Sequence, residues 1–543
     1  MLGRTNFTVL FSLLLAIIAL SGCSEQARSE IGEKKILRVN NGSEPSSLHP
    51  GKAQSMHDSW VLDHTFEGLT KKTPEGEIVD GMAESWEVSE DGLTWVFFIK
   101  DDVKWSNGTP VTARDFEYAW KYALHPNTAS PYAYQFYSIR GAEALNSANA
   151  DADFEKLQRN VGVKAVDEKT LQVTLIEPTP YFLDLTSFFA FYPIPSQVQK
   201  QNPDWALNAR TFVSNGPFTL AEWNHRENLT LTKNIHYYER ERVHLERVEM
   251  AMIGDPKTAW QMYRAGELDL AYPLPNEVQG ELIASNAEEF YNSPDLALYF
   301  YNINTAKKPF HHPKIRKALS LAIDREALVN HVVQGGQKPA FSIVPPGIND
   351  VYGDFQSNSG ALLTEDVATA RQLLAEGIEE VGLDEMPTFS MMYNTQESHK
   401  KIAEAIQEMW RKNLGIHVEH ENVEFQVKME REHIGDYDIS RSGWIGDYAD
   451  PMTFLHLWAS DSPHNDANWF HVEYDNWIKK AQTTVDEEER MEALHRAEEI
   501  LIAEMPIIPI YFSTKPYMLK SYVKGVFTPI NRQPQFMYAD IDK

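Results

Sequence analysis

Residues 387–423 read PTFSMMYNTQESHKKIAEAIQEMWRKNLGIHVEHENV, and this stretch decides the fold class. Segment 387–393 has the composition of a strand, and segment 416–423 alternates weakly between apolar and polar residues. Between them an apolar stripe at helical spacing ends near Gly415; its members are Ile402, Ile406 and Met409. A further strand-like segment follows at 438–444. Strand, helix and strand in succession predict a parallel α/β layer.

The regions on either side of this stretch have different hydrophobic patterns. Towards the C-terminus, an amphipathic helix before Pro506 and an apolar strand over 507–512 are predicted; the helix stripe is Met491, Leu494, Ala497 and Leu501. Towards the N-terminus, two alternating strands are predicted, from Leu93, Trp95, Phe97 and Ile99 and from Leu171, Val173 and Leu175. Between these strands Thr112 is a predicted N-cap with Asp115 three residues later. This part of the chain is predicted to form a separate α+β unit, and order is expected to begin near Ile36.

The N-terminal segment has the layout of a signal peptide. An apolar run extends from Phe7 to Leu20, shorter than the ~20 residues that a membrane-spanning helix needs. It ends in Leu20-Ser21-Gly22-Cys23, which resembles the lipobox of bacterial lipoproteins, with the only cysteine of the chain at its end. We therefore predict a signal peptide over 1–22, a lipidated Cys23 and a flexible tether over 23–35. The alternative is a buried structural cysteine after an ordinary signal peptide.

Composition excludes several classes of protein. The 543 residues suggest about three folded units, and 50 Lys and Arg against 78 Asp and Glu give a net charge of −28. That charge argues against nucleic acid as the main partner. One cysteine excludes a disulfide framework and a cysteine-ligated zinc site. The chain lacks the metalloprotease, nucleophile-elbow, phosphate-loop and dinucleotide motifs, and adjacent His311 and His312 are unfavourably placed to share a metal. No catalytic residue, metal or cofactor is predicted.

Several short segments together resemble one family. They are 66–69 (FEGL), 81–86 (GMAESW), 104–113 (KWSNGTPVTA), 115–120 (DFEYAW), 130–132 (SPY), 214–218 (SNGPF), 264–269 (RAGELD), 315–318 (IRKA), 393–395 (YNT) and 443–451 (GWIGDYADP). On these motifs the chain resembles the oligopeptide- and dipeptide-binding lipoproteins of bacterial ABC importers over essentially its whole mature length.

The resemblance implies an α/β fold, a two-lobed periplasmic-binding-protein clamp of type II with an extra α+β domain and a hinge-closing cleft. Carried over, the first lobe comprises 33–66, 185–292 and 512–543, the extra domain 67–184, and the second lobe 293–511. The implied function is capture of short peptides outside the cytoplasm and delivery to the permease and ATPase subunits of an importer. The receptor is expected to be a monomer, lipid-anchored to the cell membrane, without enzymatic activity.

The resemblance also implies a binding site. A receptor for many peptides should bind the groups that all peptides share, and Asp447 matches the family's amine-binding aspartate. The chain around Met56 and the segment Gly443 to Ile445 match the edges that pair with the peptide backbone. Tyr132 matches a tyrosine that lines the site, and Trp444 would form a pocket wall. The alternatives are a surface acid or helix N-cap for Asp447, domain packing for Tyr132 and a core position for Trp444.

The carboxylate end of the peptide is less well matched. His399 and Arg441 align with residues that contact peptide C-termini, and Asn394 lies beside the same site. Where a second arginine occurs in the family this chain has Glu432, with Arg431 before it, and Phe425 replaces a tryptophan. Arg441 could instead form an intramolecular salt bridge, and His399 could be solvent-exposed.

Three other functions stay open at this point. The same fold could bind a signalling peptide, a murein peptide, a nickel chelate, haem or a sugar. The chain could be an exported hydrolase, or a peptide-sensing lipoprotein with no role in transport. Asp447 separates the cargoes, because a ligand without an amine would leave its carboxylate unpaired.

Overall fold

The computed structural model describes residues 35–542, and a seven-stranded sheet organises its C-terminal half. Strand Phe389–Asn394 pairs in parallel with Val418–Val423 and with Ile439–Ile445, which confirms the parallel layer predicted from the sequence. The strands of the sheet, in spatial order, are Leu270–Ala271, Ile507–Leu519, Phe290–Ile303, Ile439–Ile445, Phe389–Asn394 and Val418–Val423, with Lys338–Pro339 paired to Ile507–Leu519. The strand predicted over 507–512 is longer than expected, because its second half continues to pair with Phe290–Ile303.

Two four-stranded sheets lie in the N-terminal half of the described chain. One has the order Ile36–Asn40, Arg247–Ala251, Asn228–Lys233 and Phe218–Asn224, and the other has the order Ala83–Val88, Thr94–Ile99, Thr170–Thr174 and Val163–Ala165. The second contains both predicted alternating strands, whose inward residues are buried. Three two-stranded ladders complete the β-structure: Thr70–Lys72 with Ile78–Asp80, Asn349–Asp350 with Gly353–Asp354, and Val523–Lys524 with Asp540–Ile541.

The helices begin and end where capping residues place them. Asp115 accepts hydrogen bonds from the backbone nitrogen and the hydroxyl of Thr112, both at 3.0 Å, at the start of the predicted helix. Gly415, at φ +71°, ends the helix of the central stripe. The α-helices are Met56–Thr65, Ala113–Leu124, Ala142–Asn146, Phe154–Asn160, Phe182–Leu185, Ser196–Gln201, Pro256–Ala265, Asn276–Ala284, Pro313–Leu321, Arg325–Ala327, Phe355–Ser359, Val367–Glu380, Glu397–Leu414, Phe425–His433, Met452–Leu455, Val472–Thr483 and Glu487–Glu504. Short 3₁₀ or π turns occupy Pro126–Thr128, Ala133–Phe136, Phe189–Phe191, Trp205–Leu207, Arg240–Arg242, Leu328–Val333 and His456–Trp458.

The apolar residues form two large cores, which we name the first and the second core. The first covers both four-stranded sheets and includes Phe97, Trp120 and Val248; the second covers the seven-stranded sheet and includes Ile406 and Ile508. A small third cluster lies around residues 259–274.

Two long paired strands, Phe290–Ile303 and Ile507–Leu519, extend out of the second core: Phe290 packs against the third cluster, and Ile507–Leu519 reaches the first core. The second strand contributes Ile508 to the second core and Tyr517 to the first. Their pairing shifts register between Pro294 and Leu298, which places an irregular segment where the strands cross between the cores.

Candidate functional site

Strand Ile439–Ile445 has a free edge at its C-terminal end. On one side it pairs with Phe290–Ile303 along its whole length. On the other side it pairs with Phe389–Asn394 only through Ile439 and Ser440, and no other described strand covers residues 441–445. A strand edge with unpaired backbone groups can accept an extended peptide as an additional strand.

Asp447 lies two residues beyond this free edge, on a loop fixed by close packing. The Gly446 nitrogen donates to the Leu296 carbonyl at 2.8 Å, and the Asp447 nitrogen donates to the Thr453 hydroxyl at 3.1 Å. A Cβ atom on Gly446 would lie 2.6 Å from Leu296 Cδ2, so only glycine fits at this step of the loop. The loop therefore fixes the position from which the Asp447 side chain extends.

The Asp447 carboxylate has no cationic partner among residues 35–542. The hydroxyl of Tyr134 donates to its Oδ1 at 3.4 Å, and no lysine or arginine of the described chain pairs with it. Burial raises the pKa of Asp447, because the charged form is poorly solvated there. The helix N-cap alternative is wrong, because Asp450 accepts from the Met452 nitrogen at 2.9 Å. A half-buried carboxylate of this kind favours binding of a cation such as a peptide ammonium.

The aromatic wall opposite Asp447 comes from the first core. Tyr132 packs edge-on against Phe188 and Phe189, with ring centroids 5.2 and 5.1 Å apart. Burial and then the negative charge of Asp447 raise the pKa of Tyr132, so this ring faces the same site. Tyr134 approaches Asp447 directly but was missed from the sequence; it stands two residues after the matched Ser-Pro-Tyr motif, where the 3₁₀ turn Ala133–Phe136 carries it to the same wall.

Met56 lies on the first-core side, at the start of helix Met56–Thr65, with 43% of its surface exposed. The preceding Ser55 is extended, at φ −110° and ψ 160°. The buried Asp58 holds this segment by accepting from the backbone nitrogens of Ser46, Gln54 and Ser55 at 2.6, 2.9 and 3.1 Å. Asp58 was also missed, although the Ser55-x-x-Asp58 capping box is visible in the sequence.

The structure brings Arg441, His399 and Asn394 together around Tyr299. The Arg441 guanidinium lies 4.6 Å from the Tyr299 ring centroid, its Nη1 donates to Asn394 Oδ1 at 3.4 Å, and the Tyr299 hydroxyl is 3.1 Å from His399 Nδ1. No described carboxylate forms an ion pair with Arg441, and its Nε has no partner, so the salt-bridge alternative is wrong. His399 is buried, which overturns the solvent-exposed alternative. Burial and then the charge of Arg441 lower the pKa of His399 to about 4, so the ring is neutral at pH 7.

Three residues depart from the family's pattern, and they do not form a second cationic site beside Arg441. Glu432 is buried and forms an ion pair with the equally buried Lys428. Arg431 pairs with Glu421 at 2.7 Å and with Asp436 at 2.9 Å. Phe425 has 47% of its surface exposed. The charge of Lys428 is thus balanced locally, and Arg441 is left as the cation without a carboxylate partner among these described groups.

The remaining site residues lie along the free edge itself. Gly443 pairs with Tyr299 and lies beside the Arg441 guanidinium, since a Cβ atom there would be 3.6 Å from Nη2, an ordinary contact distance. Trp444 packs partly on the second core, and its buried indole nitrogen has no partner. Ile445 is 72% exposed at the end of the strand. Ile445 is therefore an exposed apolar side chain next to an unpaired edge and not a core residue.

Two cores joined by two crossing strands, with a free strand edge and an unpaired carboxylate beside their junction, define a two-lobed solute-binding clamp. The chain belongs to the bacterial extracellular solute-binding proteins, family 5, whose middle-region model matches residues 77–466. The oligopeptide-binding protein OppA of Bacillus subtilis is 40% identical to it over 99% of both chains. This membership confirms the family resemblance and the type II α/β fold class predicted from the sequence. Members of the family are extracytoplasmic receptors.

Two solved structures show how the lobes are arranged. The unliganded open form of the murein tripeptide-binding protein MppA matches with a TM-score of 0.84 at 32% identity, over 94% of this chain and 98% of that one. The complex of Haemophilus influenzae OppA with the peptide RPPGFSPFR matches with a TM-score of 0.69 at the same identity, over 95% and 100%. At equal sequence identity, this chain therefore superposes better on the unliganded open form than on the peptide complex.

Two predictions of the sequence lie outside the described residues: the signal peptide 1–22, and Cys23 with nearly all of its tether. Within residues 35–542 no helix has the length and apolar character to cross a membrane. The same residues contain no group of three or more histidine, cysteine or acidic side chains placed to hold a metal ion.

Proposed function

We propose that this chain captures short peptides outside the cytoplasm and delivers them to the permease of an ABC importer. The observation that carries the proposal is Asp447, a half-buried carboxylate without a cationic partner among the described residues, placed two residues beyond a free strand edge. A peptide offers an ammonium group and, directly after it, a backbone able to pair with such an edge. The peptide-binding relatives named above support this cargo.

The peptide backbone is proposed to pair with residues 441–445, with its amine at Asp447 and its chain running back towards Arg441. Met56 and the extended segment before it would contact the peptide from the first lobe. Tyr132 and Tyr134 line the amine end, and Trp444 and Ile445 provide apolar walls for side chains. Affinity then comes mainly from groups that every peptide has, so a range of sequences is accepted.

The peptide carboxylate is proposed to bind near Arg441. The guanidinium is held over Tyr299 and has no carboxylate of its own, so it can receive one from the ligand. His399 can take part as a neutral hydrogen-bonding group, because its pKa is about 4. Asn394 would orient the arginine rather than contribute charge.

Closure of the clamp is proposed to follow binding. The proposed division is a first lobe of 33–66, 185–292 and 512–543, an extra domain of 67–184 and a second lobe of 293–511. It assigns each four-stranded sheet to one unit, whereas the seven-stranded sheet extends from the second lobe into the first through Phe290–Ile303 and Ile507–Leu519. The register shift between Pro294 and Leu298 is a suitable hinge, because a bulged segment bends more easily than a regular ladder. Partner ATPase subunits would supply the energy for uptake.

The anchor is proposed to be lipid on Cys23 after removal of residues 1–22. Acyl chains contribute ~0.8 kcal/mol per buried CH₂, so a multiply acylated cysteine suffices to hold a receptor at the membrane surface. We propose a monomeric receptor with no nucleic-acid partner and no enzymatic activity.

Native mass spectrometry of the protein without residues 1–22 tests the function directly. The protein is expected to co-purify with masses of short peptides, and Asp447→Ala is expected to lose them. A bound non-peptide species, such as a nickel chelate or haem, would reassign the cargo. Conversion of an added peptide to fragments would indicate a hydrolase.

A further inference from the structure

The loop that carries Asp447 touches the first core across a narrow seam. The ring of Tyr448 stacks on that of Tyr181, with centroids 4.0 Å apart and planes 7° from parallel. Both rings pack against the first core and against the second. One residue further along, the backbone nitrogen of Ala449 donates to Asp184 Oδ2 at 2.8 Å. The two halves of the molecule are therefore joined at the residues that follow Asp447.

Asp184 is itself held from the first-core side. It lies in helix Phe182–Leu185, whose Phe182 and Leu185 belong to the first core. Lys72 Nζ lies 2.8 Å from its Oδ1 and 3.0 Å from its Oδ2, and donates also to Asn531 Oδ1 at 3.2 Å. Both Lys72 and Asp184 are buried, so the ion pair fixes the orientation of the carboxylate that accepts from Ala449.

The other ties of the loop come from the second-core side. Gly446 is bound to Leu296, the Asp447 nitrogen to Thr453, and Asp450 to Arg490 through two contacts of 2.7 and 2.8 Å. Within the described chain, the backbone of this loop is thus hydrogen-bonded to the first core through the Asp184 carboxylate. This hydrogen bond sets the position of the loop relative to Tyr132, which packs on that core, and to the neighbouring Tyr134, which donates to Asp447.

We infer that Asp184 is a positioning residue for the amine site: through the Ala449 N–H it holds the Asp447 carboxylate in position relative to the first core before a ligand arrives. The inference rests on the proposed function, because it concerns the affinity of Asp447 for a peptide ammonium. Groups held in place beforehand bind a ligand more tightly, since less ordering remains to be done on binding.

A crevice of about 490 Å³ lies at the seam, lined by Lys72, Tyr181, Asp184, Ala449, Asp450 and Arg490 among others. Packing and hydrogen bonds fix the loop on the second core, and open space flanks it at this crevice. Against the first core, the hydrogen bond to Asp184 acts together with the Tyr181–Tyr448 stack as the restraint. Loss of this restraint is expected to weaken recognition of the ammonium more than recognition of the rest of the peptide.

Two double variants isolate the acceptor at residue 184. In Lys72→Met/Asp184→Asn the buried charges are removed and an amide oxygen is retained that can accept from Ala449. In Lys72→Met/Asp184→Ala the acceptor is removed as well. Isothermal titration calorimetry is done with one peptide in free-amine and N-acetylated forms. For each variant it gives the ratio of the Kd for the acetylated form to the Kd for the free-amine form. The alanine variant is expected to reduce this ratio about tenfold relative to the asparagine variant, as expected for coupled groups in one network.

The outcomes separate the possible failures. Equal ratios in the two variants, or equal weakening of both peptide forms, would overturn the positioning role and leave Asp184 as a structural contact. A parent protein that binds no peptide would instead refute the proposed function. Asp63→Asn is the matched control, because Asp63 is a buried partner of Arg532 at 3.2 Å that does not touch the loop. It is expected to lower the melting temperature without changing the ratio.

Discussion

Replacing Asp447 by Asn removes one negative charge from the site with little change in shape. The peptide ammonium would then be taken from water into a half-buried site without a counter-charge. Loss of one partner of a desolvated charge pair costs about 2–5 kcal/mol, and the partial exposure of Asp447 places the expected value at about 2–3 kcal/mol. We therefore expect Kd to rise about 30- to 150-fold.

Isothermal titration calorimetry with tri-, tetra- and penta-alanine at pH 7 measures this change, and the N-acetylated form of the tightest binder completes a double cycle. Acetylation removes the ammonium, so it should weaken binding to the parent protein strongly and to Asp447→Asn little. If acetylation weakens binding equally in both proteins, Asp447 and the ammonium do not interact and the amine assignment is refuted.

The same variant has a predictable effect on the free protein. Burial raises the pKa of Asp447, so ionisation of this group opposes folding at neutral pH. The stability associated with the protonated form is present below the unfolded pKa and is lost as pH rises through the folded pKa. Asp447→Asn should therefore melt at a higher temperature than the ligand-free parent at pH 7, and this difference should disappear in acid. Peptide affinity of the parent should fall with decreasing pH at a higher pH than an ordinary aspartate would give.

Other changes test the rest of the site and its support. Arg441→Gln should weaken binding of a free-carboxylate peptide but not of its C-terminal amide, measured by calorimetry; equal weakening of both would contradict the carboxylate assignment. Because the pKa of His399 is about 4, the parent and His399→Gln should show the same pH dependence of Kd from about pH 6 to 8. A change of Kd with pH that is seen in the parent but not in the variant would show that the ring titrates in this range. Asp450→Ala leaves the buried Arg490 unpaired and should cost about 3–5 kcal/mol in urea unfolding, whereas a change below about 1 kcal/mol would show that the pair is solvated. Gly446→Ala would place its Cβ 2.6 Å from Leu296 and should weaken peptide binding by displacing Asp447. An unchanged Kd in calorimetry would contradict this role of the glycine.

The local structure of this protein was largely predictable from its sequence. The parallel strands around Glu397–Leu414, the capped helix after Thr112 and the alternating strands near Trp95 and Leu171 all have patterns that depend on near neighbours in the chain. The strand predicted over 507–512 was too short, because its extension to Leu519 depends on pairing with Phe290–Ile303, more than two hundred residues earlier. Long-range pairing leaves little local signal, since the partner supplies the hydrogen bonds.

The candidate site was predictable where family motifs marked it and not elsewhere. Asp447 was predicted from the matched segment 443–451, and Arg441 and His399 were predicted from their alignment with residues that contact peptide C-termini in the family. Tyr134 and Asp184 were missed, because a tyrosine in a 3₁₀ turn and an aspartate in a four-residue helix have no distinctive spacing. Their significance lies in distances across the molecule, such as the 2.8 Å between Asp184 and the Ala449 nitrogen.

The sequence by itself determined the α/β class, the element boundaries within a few residues, the excess of negative charge and the family. Hydrophobic periodicity and capping are encoded by residues within one or two turns of each other, so they can be recognised without coordinates. Only the tertiary structure decided that residues 441–445 have a free edge, that Arg441 has no carboxylate partner among the described residues, and that His399 is buried and neutral. Edge pairing, desolvation and charge balance depend on which distant segments meet, and that information arises when the two cores form.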